Sequence, residues 1–102
     1  MKVDITADEQ CICAKIQGEI DHHNAKAIRE EIDSNIQRLQ SPKVILDFSA
    51  VTFMDSSGIG LVMGRYRLVN TYGGKVEVAG TSSSIRRVMK MAGLEKLVCI
   101  QA

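Results

Sequence analysis

The 102-residue sequence has no tryptophan, two phenylalanines and two tyrosines. Proteins that stack nucleobases need aromatic faces, so a base-stacking surface is not expected. A surplus of one charge is missing as well. Thirteen Lys and Arg stand against twelve Asp and Glu, for a net of +1 with both histidines neutral. Nucleic-acid binding draws on a basic excess that displaces counterions, so no nucleic-acid partner is expected. No apolar run approaches the roughly 20 residues of a membrane span, and Met1-Lys2-Val3-Asp4 does not open a secretory signal. No membrane role is expected. The three cysteines, Cys11, Cys13 and Cys99, follow no framework spacing. They read as reduced thiols in a cytoplasmic protein.

What is present is an ordinary globular balance, 45% apolar and 25% charged. The length suits a single domain over 1–102, and is too short for a two-lobed enzyme with a deep cleft. Val3 and Ile5 alternate with polar neighbours, Asp8-Glu9 suggests a turn, and Ile12, Ala14, Ile16, Gly18 and Ile20 share one face at period two. This predicts an antiparallel hairpin. From Asn24 to Gln40 the period changes, and Ala25, Ile28, Ile32, Ile36 and Leu39 form one helical stripe. Asp21 to Asn24 can cap its start, and Ser41-Pro42 stops it.

Val44-Ile45-Leu46 and Phe48 are almost continuously apolar, which predicts a central strand buried on both faces. A helix from about Ser57 to Thr71 ends at Gly73-Gly74. Val76 and Val78 mark a strand. Ser82 to Ala92 follows as a helix with Ile85, Val88, Met89 and Ala92 inward, and Leu97, Val98 and Ile100 form the last strand. The fold class is therefore α/β, in the order β-β-α-β-α-β-α-β, with a mixed sheet and right-handed crossovers.

The informative stretch is DFSAVTFMDSSGIGLVMGRYR, Asp47 to Arg67. Asp55-Ser56-Ser57-Gly58 stands where a strand gives way to a helix, through a loop expected over Ala50 to Asp55. A carboxylate and two hydroxyls at a helix start are ordinary capping groups. The helix beyond is apolar on more than one side. Ile59, Val62, Met63, Tyr66 and Val69 make one inward stripe; Leu61 and Leu68 lie on another face with Arg65 between them. Whether Arg65 and Arg67 face solvent or a partner stays open.

Gly58, Gly60 and Gly64 each cost a helix interior about 1 kcal/mol relative to Ala. Close helix–sheet packing suits Gly64; partner contact suits an exposed Gly58 and Gly60. Their spacing imitates a dinucleotide fingerprint without its direct strand-to-helix turn, and there is no P-loop. His22 and His23 are adjacent, so on a helix or strand they would point in different directions, and they have no metal or catalytic partner motif. A triad of Ser57, His23 and Asp21 lacks a nucleophile elbow, and the cysteines do not form a metal pattern. No catalytic residue, metal or cofactor is assigned, and no enzyme activity is expected.

Gly18-Glu19-Ile20-Asp21, the strand Val44 to Phe48, Phe53-Met54-Asp55-Ser56-Ser57-Gly58-Ile59-Gly60 and Gly93-Leu94 together resemble the STAS domains of anti-sigma factor antagonists, across essentially the whole sequence. Asp21-His22-His23 and Gly64-Arg65-Tyr66-Arg67 resemble the sporulation branch in particular, whose members continue into a C-terminal helix where this sequence stops.

The resemblance implies a STAS fold and a partner-switching cycle. The unphosphorylated antagonist binds an ATP-bound anti-sigma factor that is also a serine kinase, and the sigma factor is released to start transcription. The kinase then phosphorylates the antagonist, and a PP2C-type serine phosphatase restores it. The matching acceptor is Ser57. The implied partner-binding residues are Asp21, Asp55, Ser56, Ser57, Gly58, Ile59 and Gly60, on a chain that is monomeric when free. A STAS scaffold domain and a small nucleotide-binding protein are the alternatives.

Overall fold

The computed structural model describes residues 2–102. Strand β1 (Val3–Ala7) turns through Asp8 into β2 (Cys11–Ile20). Helix α1 (Ala25–Leu39), strand β3 (Lys43–Met54), helix α2 (Ser56–Asn70), strand β4 (Lys75–Ala79), helix α3 (Ser83–Met91) and strand β5 (Cys99–Ile100) follow, with a single 3-10 turn at Leu94–Lys96 before β5. This is the order expected from the sequence. The sheet runs β1-β2-β3-β4-β5; β1 and β2 are antiparallel and every later pairing is parallel.

The three crossovers all step the same way along the sheet. Right-handed connections then carry all three helices to one face. The pairings Ile12–Val44–Val76 and Ala14–Leu46–Val78 lie in rows on that face and are buried. Ile28, Ile32 and Ile36 of α1 pack over it, as their spacing predicts.

The opposite face carries the row Cys13–Ile45–Glu77–Cys99 and is only partly covered. The expectation of a strand buried on both faces is therefore corrected. Ile45 is half-exposed, and β3 alternates like a one-sided strand. All three cysteines are free. Burial holds the Cys13 thiol up, with Asp47 adding to the effect.

The expected loop from Ala50 to Asp55 is strand almost to its end. β2 is long enough to pair with β3 as far as Ile20–Met54, across two register shifts. β3 therefore passes directly into α2, and the missing strand-to-helix turn no longer argues against a dinucleotide fingerprint. The three glycines instead lie inside α2, beyond any such turn.

The last third also differs in detail. Ile85 and Met89 of α3 are buried, but Val88 and Ala92 face outward. Leu97 is exposed and stands before β5, which is only two residues long.

Helix α2 is turned about its axis from the expected stripe. Gly58, Leu61, Val62, Arg65 and Val69 are buried, and Ile59, Met63 and Tyr66 only flank the core. A helix apolar on several sides fixes its pitch but not which side faces the sheet. Gly64 does not serve close packing, since a Cβ there would meet nothing within 4 Å. Gly64→Ala is therefore expected to stabilise the protein by about 0.5–1 kcal/mol, read as a higher urea midpoint at unchanged slope.

Candidate functional site

The carboxyl ends of β2 and β3 lie side by side, and Asp55 N donates to Ile20 O at 3.1 Å. Asp21 and Asp55 follow these strand ends directly, so the sheet brings two acidic residues from distant sequence to one edge. Each leads into a helix. Asp21 Oδ1 accepts from His23 N at 2.9 Å and from Asn24 N at 3.1 Å. Asn24 returns the contact, accepting from Asp21 N at 3.0 Å and donating to Glu19 O at 2.7 Å. Asp21 thereby closes the turn that leads into α1; the N-cap of the helix itself is Asn24, which makes no side-chain capping hydrogen bond.

Asp55 is the N-cap of α2, its Oδ1 accepting from Ser57 N at 2.8 Å. That hydrogen bond and the nearby Ser57 hydroxyl hold the Asp55 carboxyl below its ordinary range. His22 Nδ1 stands 3.9 Å from Asp55 Oδ2 and adds to this if protonated. His22 and His23 lie on neither a helix nor a strand, where their rings would diverge, and the ring centroids are 4.0 Å from each other. The residues sit in a turn, where neighbouring side chains need not diverge. His23 reaches Asp21 only through its backbone, so no triad with Ser57 is assembled.

Ser57 is the second residue of α2. Ser56 and Gly60 are exposed, Ser57 and Ile59 are half-buried, and Gly58 is buried. An exposed Gly58 was expected for partner contact. Instead Met54 folds over it, and a Cβ at that position would collide with the Met54 side chain. Gly58 makes room for the end of β3, while Gly60 is open and a Cβ there would meet nothing. Ser57 opens on a groove of about 280 Å³ between α1 and α2, lined by Ala25, Arg29, Ser57, Gly60 and Leu61.

One turn further along both helices, from Arg29 on α1 and Leu61 on α2, lies a pair that sequence reasoning missed. Arg65 and Asp33 are 6% and 22% exposed. Arg65 Nε stands 2.6 Å from Asp33 Oδ1, off the line of its N–H, so those two atoms attract by charge alone. Arg65 Nη2 donates to Asp33 Oδ2 at 3.2 Å, and Nη1 donates to Leu61 O at 3.2 Å. The available signal was Asp33 beside the stripe residue Ile32 and Arg65 one turn beyond Leu61.

Among the described residues, no group of three or more His, Cys, Asp or Glu is placed to hold a metal ion. No helix there is long and apolar enough to cross a membrane. A larger cavity, about 620 Å³, lies at the far end of α2 beside Tyr66, Asn70, Lys75 and Lys96, away from the serines.

A mixed sheet with helices on one face and an acid-capped serine pair starting α2 define a STAS domain, and the STAS domain family model matches residues 2–102. An anti-sigma F factor antagonist of Paenibacillus polymyxa is 33% identical over 100 residues, covering 98% of this chain and 86% of the relative. An anti-sigma-B factor antagonist of Bacillus subtilis is 28% identical, covering 100% and 92%. Among solved structures, the anti-sigma factor antagonist SpoIIAA in its unphosphorylated form superposes with a TM-score of 0.84 at 29% identity, covering 98% and 88%. The phosphorylated form of SpoIIAA from Bacillus gives 0.77 at 29% identity, covering 98% and 91%. The chain belongs to the anti-sigma factor antagonists of the STAS family.

Proposed function

We propose that this antagonist, when unphosphorylated, binds an anti-sigma factor that is also a serine kinase and so frees a sigma factor for transcription in the cytoplasm. The kinase moves the γ-phosphoryl group of ATP to Ser57 Oγ. The hydroxyl gives up its proton, ADP leaves, and binding ends. A PP2C-type phosphatase hydrolyses the ester and restores the first state. No chemistry is asked of this chain beyond presenting the hydroxyl.

The observation that carries this reading is the placement of Ser57. It stands next to its cap Asp55 at the start of α2, at the rim of an open groove. A phosphate there meets the positive end of a helix dipole, so the domain can carry it without unfolding. Two relatives named as antagonists of anti-sigma factors, and a similar fold solved in both phosphorylation states, support the same reading.

Asp21, Asp55, Ser56, Ser57, Ile59 and Gly60 form the proposed contact surface, with Gly58 shaping it from below. Its apolar continuation is Phe53 and Val88, 53% and 47% exposed, beside Met54 and Ile85. Titrating the unphosphorylated chain into a complex of anti-sigma factor and sigma factor is expected to release the sigma factor in a saturable way. Failure to displace it from any candidate complex contradicts the proposal.

A further inference from the structure

The groove beside Ser57 has one charged wall. Ala25 and Arg29 are one turn apart on α1, and Ser57, Gly60 and Leu61 share a face of α2. The two helix faces enclose the space, and Ala25 and Gly60 keep it open by being small. Arg29 is exposed, and among the described residues it makes no ion pair within 4 Å. The nearby acid is already taken, because Asp33 is held by Arg65. Arg29 is close enough to act on both, favouring the ionised form of Asp33 and opposing the charged form of Arg65. Asp33 is thus paired with Arg65 alone, and the guanidinium left without an ion pair is the one that lines the groove.

The other side of Ser57 is negative. Asp55 stands there with its carboxylate committed to Ser57 N, and Asp21 lies beyond it at the end of β2. A dianionic group on Ser57 Oγ is repelled from that side and attracted to the groove. We infer that Arg29 is the intramolecular partner of a phosphate on Ser57, closing the α1–α2 groove over it. The inference rests on the reading that Ser57 is the acceptor. A guanidinium fork suits phosphate oxygens better than an ammonium. In this arrangement phosphorylation fills a groove as well as adding charge, and the partner meets a changed shape between α1 and α2.

The test uses the full chain with phosphoserine genetically encoded at position 57, so it does not depend on the kinase. The second ionisation of the phosphate is followed by phosphorus NMR in the parent, Arg29→Gln, Arg29→Lys and Lys26→Gln. Lys26→Gln removes an equal charge from the same exposed stretch of α1, outside the groove lining. Asp21, His22, Asp33, Asp55 and Arg65, the other charged or titratable groups around the site, are common to all four proteins.

The parent midpoint is expected about half a pH unit, or roughly threefold in proton affinity, below that of Arg29→Gln. Arg29→Lys should fall between them and Lys26→Gln should match the parent. Coincident parent and Arg29→Gln curves, or an equal shift in Lys26→Gln, overturn the inference. Kinase labelling of the parent at a different serine would refute the acceptor reading instead, and leave the titration to judge Arg29.

Discussion

Phosphorylated at Ser57, the chain is expected to bind its anti-sigma partner at least about a hundredfold more weakly than the unmodified chain. The phosphate adds about −1.5 to −2 charge at a half-buried position on the proposed contact surface. Burying a charge that the partner's face was not built to pair costs several kcal/mol, and each ~1.4 kcal/mol is tenfold in affinity.

The fold should not change. The start of α2 offers a favourable dipole, and the SpoIIAA forms with and without phosphate both superpose on this chain. Calorimetric titration of the two forms against the partner checks the effect. Ser57→Ala should bind like the parent, and Ser57→Asp should lose only part of the affinity, because one carboxylate carries less charge. Equal affinity of the modified and unmodified chains contradicts the electrostatic account.

Arg65→Met is expected to destabilise the protein far more than an exposed arginine would. Removing one partner of a buried pair leaves the other uncompensated, at a cost of roughly 3–5 kcal/mol. Asp33 keeps some solvent contact, which places this case near the lower end. Burial pushes the Asp33 carboxyl up and the Arg65 guanidinium down; both directions show desolvation working against the pair. Its net contribution is therefore modest, and replacing both partners together should recover most of the loss. Urea unfolding of Arg65→Met, Asp33→Leu and the double variant measures this. If Arg65→Met falls within about 0.5 kcal/mol of the parent, as surface changes do, the pair has no structural weight.

The parts legible in the sequence are those where local chemistry dictates the outcome. Ile28, Ile32 and Ile36 define one face of α1 because, apart from Ala25, Ala27 and Leu39, the rest of that helix is polar. Asp55 reads as a cap because a carboxylate before two serines has little else to do at a helix start. The STAS resemblance reached the family through the combination of Gly18 to Asp21, the strand Val44 to Phe48, the residues around Ser57 and Gly93-Leu94.

The parts that were not legible depend on partners far away in sequence. Val44-Ile45-Leu46 looks the same whether one or two layers cover the strand, and only the common direction of the crossovers leaves Ile45 half-exposed. Phe53 belongs to a strand because β2 extends far enough to pair with it. Arg65 turns inward because Asp33 is waiting on α1, and Val88 turns outward because Ile85 and Met89 are the α3 residues that reach the core. Each of these outcomes is set by tertiary contact overriding a local pattern.

The acceptor itself is decided by one measurement. Ser56 is exposed and Ser57 half-buried at the same helix start, so the two hydroxyls compete for the kinase. Incubating the chain with an anti-sigma serine kinase and ATP, followed by digestion and tandem mass spectrometry, should place a single phosphate on Ser57 and none on the Ser57→Ala variant. A phosphate on Ser56, or at any site that persists in Ser57→Ala, contradicts the switch described here.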